Sequence, residues 1–99
     1  MNRSFLRRLR NPASDDILAD LTVRQHLQPH RPLRQILSQS AEELGFCPDA
    51  ASRAVQWLGL DPAGSVGRLR RTELTQLARC IYRFWRQSMA PQAQESQPG

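Results

Sequence analysis

Residues 72–86, TELTQLARCIYRFWR, carry the strongest helical pattern in the chain. Apolar side chains recur along this segment at helical spacing: Leu74, Leu77, Ala78, Ile81, Phe84 and Trp85. At about 100° per residue they share one side of a helix, and Arg79, Arg83 and Arg86 fall on the opposite side. The segment therefore predicts an amphipathic helix that packs on a core and presents arginine to solvent.

The starts of four helices are marked by residues that favour helix N-termini. Ser14 and Thr72 are good N-cap residues, because a hydroxyl oxygen accepts a hydrogen bond from a free N–H of the first turn. Pro32 and Pro48 suit first helical positions, where proline's missing N–H costs nothing. We therefore expect helices to begin near residues 14, 32, 48 and 72.

The helix ends are marked by proline and glycine. The first helix is expected to run to about Leu27, since Pro29 cannot continue it. Gly45 and Gly59 each follow an apolar helical stripe and precede a non-helical turn, so both are predicted to have positive φ. Leu60, next along the chain, is the apolar residue that often packs after such a cap.

No run of β-branched or aromatic residues alternates with a period of two, so the predicted class is all-α: a small bundle of about four helices. Residues 1–12 form a basic arm, 13–88 the helical domain and 89–99 a disordered tail. A strand pairing within 30–86 would contradict this prediction. The expected core consists of Leu33, Ile36, Leu37, Leu44, Ala54, Val55, Leu58, Leu74, Leu77, Ala78 and Ile81, with Val66 and Leu69 pinning the last loop.

The charge balance favours an anionic partner. The chain has 99 residues, 14 basic side chains that are all arginine, 9 acidic side chains and a net charge of +5. Arginine is always charged and its planar fork of donors matches phosphate and carboxylate. The arginines cluster at three places: Arg3, Arg7, Arg8 and Arg10; Arg68, Arg70 and Arg71; Arg79, Arg83 and Arg86. A GC-rich genome explains the missing lysine but not this clustering, so nucleic acid is the first partner to consider.

Several classes of function have no support in the sequence. There is no P-loop, GxGxxG or nucleophile elbow, and the carboxylates stand at helix starts, so an enzyme or a bound cofactor is not expected. Pro29 separates His26 from His30, which removes the best candidate pair of metal ligands. Cys47 and Cys80 are interpreted as buried free thiols, which suits a reducing, cytoplasmic location.

No apolar run is long enough to span a membrane. The first fourteen residues contain arginine without acid and interleave Phe5, Leu6 and Leu9. This composition faintly suggests a transit peptide or a helix at a membrane surface. A basic arm on a soluble protein is the preferred interpretation.

The segment from Leu44 to Trp85 resembles a known helical unit. It reads Gly45-Phe46-Cys47-Pro48, a helix, Gly59-Leu60-Asp61-Pro62, a loop with Val66-Gly67-Arg68-Leu69, and a helix opened by Thr72-Glu73-Leu74. This order is similar to the helix-two-turns-helix unit of a small-subunit ribosomal protein and of formamidopyrimidine-type glycosylases. Its second half also resembles the C-terminal helical domain of rRNA adenine dimethyltransferases. The resemblance implies phosphate contact. No N-terminal catalytic proline, zinc finger or methyltransferase domain accompanies the unit, so the enzymatic activity of these families is not carried over. Cys47 replaces the second glycine of the phosphate-gripping turn.

The residues themselves predict binding to a phosphate backbone. Arg68, Arg70 and Arg71 lead directly into a helix N-terminus, whose free N–H groups favour anions. Arg79, Arg83 and Arg86 extend the positive surface along that helix. Tyr82, Phe84 and Trp85 are expected to be core residues, so no aromatic side chain is clearly available for stacking on bases, and DNA and RNA stay open.

The alternative is a small helical adaptor or regulator that caps or sequesters a larger, acidic protein. An apparently unpaired first helix and Trp57, at the edge of its stripe, favour this hypothesis. Trp57 and Arg53 are then the expected partner-binding residues, and Trp85 would join them if it were exposed. An ancillary subunit of a ribonucleoprotein combines both hypotheses.

Overall fold

The computed structural model describes residues 12–89. Its elements are α1 (Ser14–Leu27), α2 (Leu33–Leu44), α3 (Pro48–Leu58), a short 3-10 helix (Val66–Arg68) and α4 (Arg71–Met89). The described residues form no β-strand, only an isolated antiparallel bridge between Pro32 and Ser65. The predicted all-α fold is therefore confirmed. The predicted arm before Pro12 and the predicted tail beyond Met89 lie outside the described residues.

The start of α1 is capped differently from the prediction. The helix begins at Ser14, and Ala13 takes the N-cap position. The backbone N–H of Ala13 donates to Asp16 Oδ2 at 2.9 Å. The Asp16 carboxylate thus satisfies the N–H of the N-cap residue itself, and Ala13 has no hydroxyl that could accept from the first turn. Pro32 likewise precedes α2 as its N-cap, whereas Pro48 opens α3 as predicted.

At the start of α4, a carboxylate likewise accepts the N–H of the residue before the helix. The helix begins at Arg71, one residue before the predicted cap Thr72. The N–H of Arg70 donates to Glu73 Oε1 at 2.7 Å. The negative side chain also interacts favourably with the positive end of the helix dipole.

Both predicted glycine caps are confirmed. Gly45 has φ 88° and Gly59 has φ 70°, and the described residues have no other positive φ. After α3, the N–H of Leu60 donates to Val55 O at 3.0 Å and that of Gly59 to Gln56 O at 3.1 Å. These two bonds satisfy carbonyls that the end of the helix would otherwise leave free.

The four helices share one core in which α4 packs against both α1 and α3. Ile17 and Leu21 of α1 are fully buried. The expectation that the first helix is unpaired was therefore wrong. The predicted core residues are buried, except that Leu58 is half-buried. Leu58 ends α3 and lines the groove that α3 forms with α4, which leaves part of its side chain accessible.

The connection between α1 and α2 pairs with the loop that precedes α4 through backbone hydrogen bonds. They run from Val66 N–H to Arg31 O (2.9 Å), Gly67 N–H to Pro29 O (2.9 Å), Leu33 N–H to Gly64 O (2.8 Å) and Arg34 N–H to Pro62 O (2.9 Å). Gln25 of α1 adds hydrogen bonds from Nε2 to Val66 O (3.0 Å) and Leu69 O (2.9 Å). Val66 is fully buried and Leu69 half-buried, which confirms that both attach the loop to the core.

Gly59→Val should lower the free energy of unfolding by roughly 1 kcal/mol or more, since a β-branched residue is strained at positive φ. An added Cβ would meet no atom within 4 Å, so the cost comes from the backbone alone. Urea denaturation measures it. Gly59→Asn is the control, because asparagine tolerates this conformation better. Equal stabilities of the valine variant and the wild type would contradict the assigned cap.

Gly67→Ala should destabilise the protein by about 1–3 kcal/mol. A Cβ at residue 67 would lie 2.8 Å from Pro29 O and 2.9 Å from Pro29 Cβ, so one of the two paired loops must move. Gly64→Ala is the matched control, because its Cβ would lie no closer than 3.4 Å to any atom. If both substitutions cost the same in thermal denaturation, the close approach is not what fixes this loop.

Candidate nucleic-acid interface

The arginines of α4 lie where the helical pattern places them, on the side opposite the core. Arg79, Arg83 and Arg86 are all exposed. None of the three pairs with a described acid; the ion pair within the described range joins Arg24 and Asp20, at 2.7 Å. Their positive charge is therefore available to a partner.

Trp57 is the exposed aromatic residue on this side of the molecule. Its side chain is 74% exposed, whereas Trp85 is only 6% exposed and belongs to the core. The indole packs edge-on to Phe84 of α4, with ring centroids 6.1 Å apart. The Arg53 guanidinium lies 5.4 Å from the same Phe84 centroid, a cation–π contact. Of the two tryptophans considered as partner-binding residues, only Trp57 is accessible.

A groove between α3 and α4 brings Trp57 together with three of the six arginines predicted to bind nucleic acid. Trp57 and Leu58 line it from α3, and α4 contributes polar, aromatic and basic side chains: Gln76, Arg79, Cys80, Tyr82, Arg83, Phe84, Arg86 and Gln87. We call this the α3–α4 groove. Arg79, Arg83 and Arg86 thus share a groove with Trp57, whereas Arg53 and the loop arginines Arg68, Arg70 and Arg71 are not among its lining residues. Tyr82, Phe84 and Trp85 pack in or against the core as expected, and the exposed ring in this groove comes from Trp57 of another helix.

Arg86 occupies the Tyr82 side of the groove. Its guanidinium lies 5.8 Å from the centroid of the Tyr82 ring. Tyr82 is half-buried and packs edge-on to Trp85, with centroids 6.3 Å apart. A ring anchored on the core therefore holds one face of the Arg86 side chain and restricts where it points.

The loop arginines stand at the other end of α4. Arg68, Arg70 and Arg71 are exposed and have no ion pair with a described residue. At 1.5 Å per residue, Arg83 lies about 18 Å along the axis from Arg71. The Glu73 carboxylate accepts the N–H of Arg70 and places a negative charge at the helix start, which opposes anion binding by the N–H groups of the first turn.

A second groove runs along the other side of α3, against α2. It is lined by Arg34 and Ser38 of α2, by Pro48, Ser52 and Gln56 of α3, and by apolar residues between them. We call this the α2–α3 groove. Sequence reasoning missed Arg34, although its position off the apolar stripe of α2 marks it as exposed. The outward side of α3 therefore lies between two grooves that each contain arginine.

The described residues also include two cysteines. Cys47 and Cys80 are half-buried free thiols. Burial raises the pKa of the Cys80 thiol, and the neighbouring positive charge of Arg83 only partly opposes this. In the described range no cluster of His, Cys, Asp or Glu has the makings of a metal site, and no helix is long and apolar enough to cross a membrane.

No family model, curated protein or solved structure matches the chain. The resemblance of residues 44–86 to the helix-two-turns-helix unit therefore stays a prediction. The candidate site is defined by its own side chains: an exposed indole, and arginines on the faces beside it.

Trp57→Phe should remove most of the acrylamide-quenchable fluorescence and change the free energy of unfolding by less than about 0.5 kcal/mol. Trp57 is exposed and Trp85 buried, which is the reason for both expectations. Trp85→Phe is the matched control and should leave the quenchable signal in place. If the Trp57→Phe protein were still readily quenched, Trp85 would not be a core residue.

Proposed function

We propose that this protein binds nucleic acid without catalysing a reaction, contacting the phosphate backbone through the arginines of α4 and of the loop before it. The supporting observation is that Arg79 and Arg83 line one groove with no described acid to neutralise them. The residues proposed to bind are Arg68, Arg70, Arg71, Arg79, Arg83 and Arg86.

The charge pattern favours a polyanion over a single small anion. Basic side chains recur along α4 from its first turn to Arg86, a length that spans several phosphates of a nucleic-acid strand. Like charges spaced along one face repel one another, and a chain of phosphates relieves that repulsion. Each arginine can also bind a phosphate through two parallel hydrogen bonds.

The aromatic residues add a contact that charge alone does not provide. Trp57 presents an exposed ring beside Arg79 and Arg83 in the α3–α4 groove. An indole next to arginines gives apolar area to a sugar or a base while the guanidiniums bind phosphates. The cation–π contact of Arg53 with Phe84 limits the freedom of Arg53 before a ligand arrives.

The same exposed indole supports an acidic protein as the second candidate partner. Tryptophan and arginine are the residues that most often carry the energy of a protein interface. The two candidates differ in what they require: a phosphate backbone needs charge with little regard to sequence, whereas a protein interface needs the Trp57 ring in one fixed setting.

The test is binding of labelled mixed-sequence DNA and RNA, single- and double-stranded, over a range of salt concentrations. Each phosphate contact should add about 0.7–0.9 to the salt slope of log affinity. Arg79→Ala with Arg83→Ala, and separately Arg70→Ala with Arg71→Ala, should weaken binding to all sequences alike and flatten that slope. The two double variants lose equal charge, so their difference shows which end of α4 contributes more.

Arg31→Ala is the control, since Arg31 is exposed but is not among the residues that line either groove. It should change the salt slope less per charge removed than the α4 variant does. If no nucleic acid binds at low salt, or if both double variants bind as the wild type does, the acidic protein partner becomes the better hypothesis.

A further inference from the structure

The connection between α2 and α3 is a short turn, Gly45-Phe46-Cys47, that fixes the orientation of the two helices relative to each other. Gly45 adopts the left-handed conformation, and Phe46 is buried, which anchors the turn in the core. The small side chains of Ala41 and Ala51 are also buried and let the two helices approach closely. Two helices joined by a short glycine-containing turn form the arrangement whose second helix can enter the major groove of DNA.

The outward side of α3 carries side chains suited to base recognition. Asp49, Ser52, Arg53 and Gln56 are all exposed on this helix. Arginine pairs with the guanine edge, glutamine with adenine, and a carboxylate accepts from the amino group of cytosine. Asp49 lies in the first turn of α3, where the helix dipole favours a carboxylate.

Arginines lie on both sides of the exposed face of α3. Arg34 lines the α2–α3 groove, and Arg79 and Arg83 line the α3–α4 groove. A helix with its side chains is about 10–12 Å across, close to the width of the major groove of B-DNA, about 12 Å. A helix inserted in that groove therefore has a phosphate strand on either side, where these arginines lie.

Other forms of nucleic acid fit this surface less well. Single-stranded sites stack successive bases on several aromatic rings. In the described part of the chain Trp57 is the exposed aromatic residue, with Tyr82 and Phe84 half-buried and Trp85 buried. The major groove of double-stranded RNA is too deep and narrow for side chains to read its bases.

We infer that the partner is double-stranded DNA and that α3 enters its major groove, with Ser52 and Gln56 facing the base edges. The Arg53 guanidinium, which lies on the Phe84 ring in the free protein, leaves that ring to reach them. Arg34 on one side and Arg79 and Arg83 on the other contact the two phosphate strands. This inference rests on the proposed function and specifies its ligand.

The experiment selects binding sites for the full-length protein from a randomised duplex DNA library and sequences the bound fraction. A short motif should be enriched. Arg53→Ala should weaken binding to the selected duplex roughly 5- to 150-fold, as expected for losing one bidentate base contact, and should relax the motif at one position. Gln56→Ala should relax it at another position. Both residues are exposed, and circular dichroism checks that the variants stay folded.

Arg31→Ala is again the charge-matched control and should leave the motif unchanged. Competition with the same sequence as single-stranded DNA and as double-stranded RNA completes the test, and the DNA duplex should compete best.

Two results would overturn the inference while leaving the proposed function in place. One is binding that depends on Arg79 and Arg83 but selects no motif. The other is single-stranded DNA or duplex RNA competing as well as duplex DNA. Failure to bind any nucleic acid would overturn both proposals.

Discussion

The position of α4 depends on the backbone hydrogen bonds that join the α1–α2 connection to the loop ahead of α4. The N–H groups of Val66 and Gly67 donate to the carbonyls of Arg31 and Pro29. The buried side chain of Val66 packs in the core and so attaches these paired segments to it. Without it, the loop after α3 would be long and poorly constrained, and the start of α4 would not be fixed against α1. The position of the α4 arginines therefore depends on contacts that residues 66 and 67 make with the α1–α2 connection. Gly67 lies so close to Pro29 that a larger residue would not fit there.

The exposed face follows from how side-chain size is distributed between α3 and α4. The buried side of α3 consists of Ala50, Ala51, Ala54 and Val55, while α4 buries Leu74, Leu77, Ile81 and Trp85. Small residues on one helix let it approach the large residues of the other. The indole of Trp57 has no place in that tight interface and stays outside, against the edge of Phe84. Packing thus positions an aromatic ring beside the arginines.

Much of the fold is predictable from the sequence because it depends on local rules. The apolar stripe of α4 and the left-handed glycines at residues 45 and 59 were predicted correctly, since periodicity and positive φ are properties of short segments. The predicted N-caps Ser14 and Thr72 were wrong because α1 begins at Ser14 and α4 at Arg71, so both residues lie inside their helices. The burial of α1 was missed because its apolar residues do not share one face: Val23 and Leu27 are 54% and 69% exposed.

The candidate site is less predictable, because it is a property of packing between helices. Its arginines could be predicted from their spacing. The sequence did not predict that Trp57 lines the same groove as Arg79, or that Arg34 and Arg83 line grooves on the two sides of α3. Residues distant in sequence meet there only after the core has formed, and nothing in the local pattern specifies which helix faces will adjoin.

The most direct test of the claim that α3 and α4 form a nucleic-acid-binding face is chemical-shift mapping of isotope-labelled protein titrated with a DNA duplex. Perturbed amides, and the indole N–H of Trp57, should cluster on residues 49–57, 68–71 and 79–87. The amides near Val23 and Leu27 on α1 should be unaffected. Perturbations centred on α1, or no perturbation with any nucleic acid at low salt, would contradict the claim.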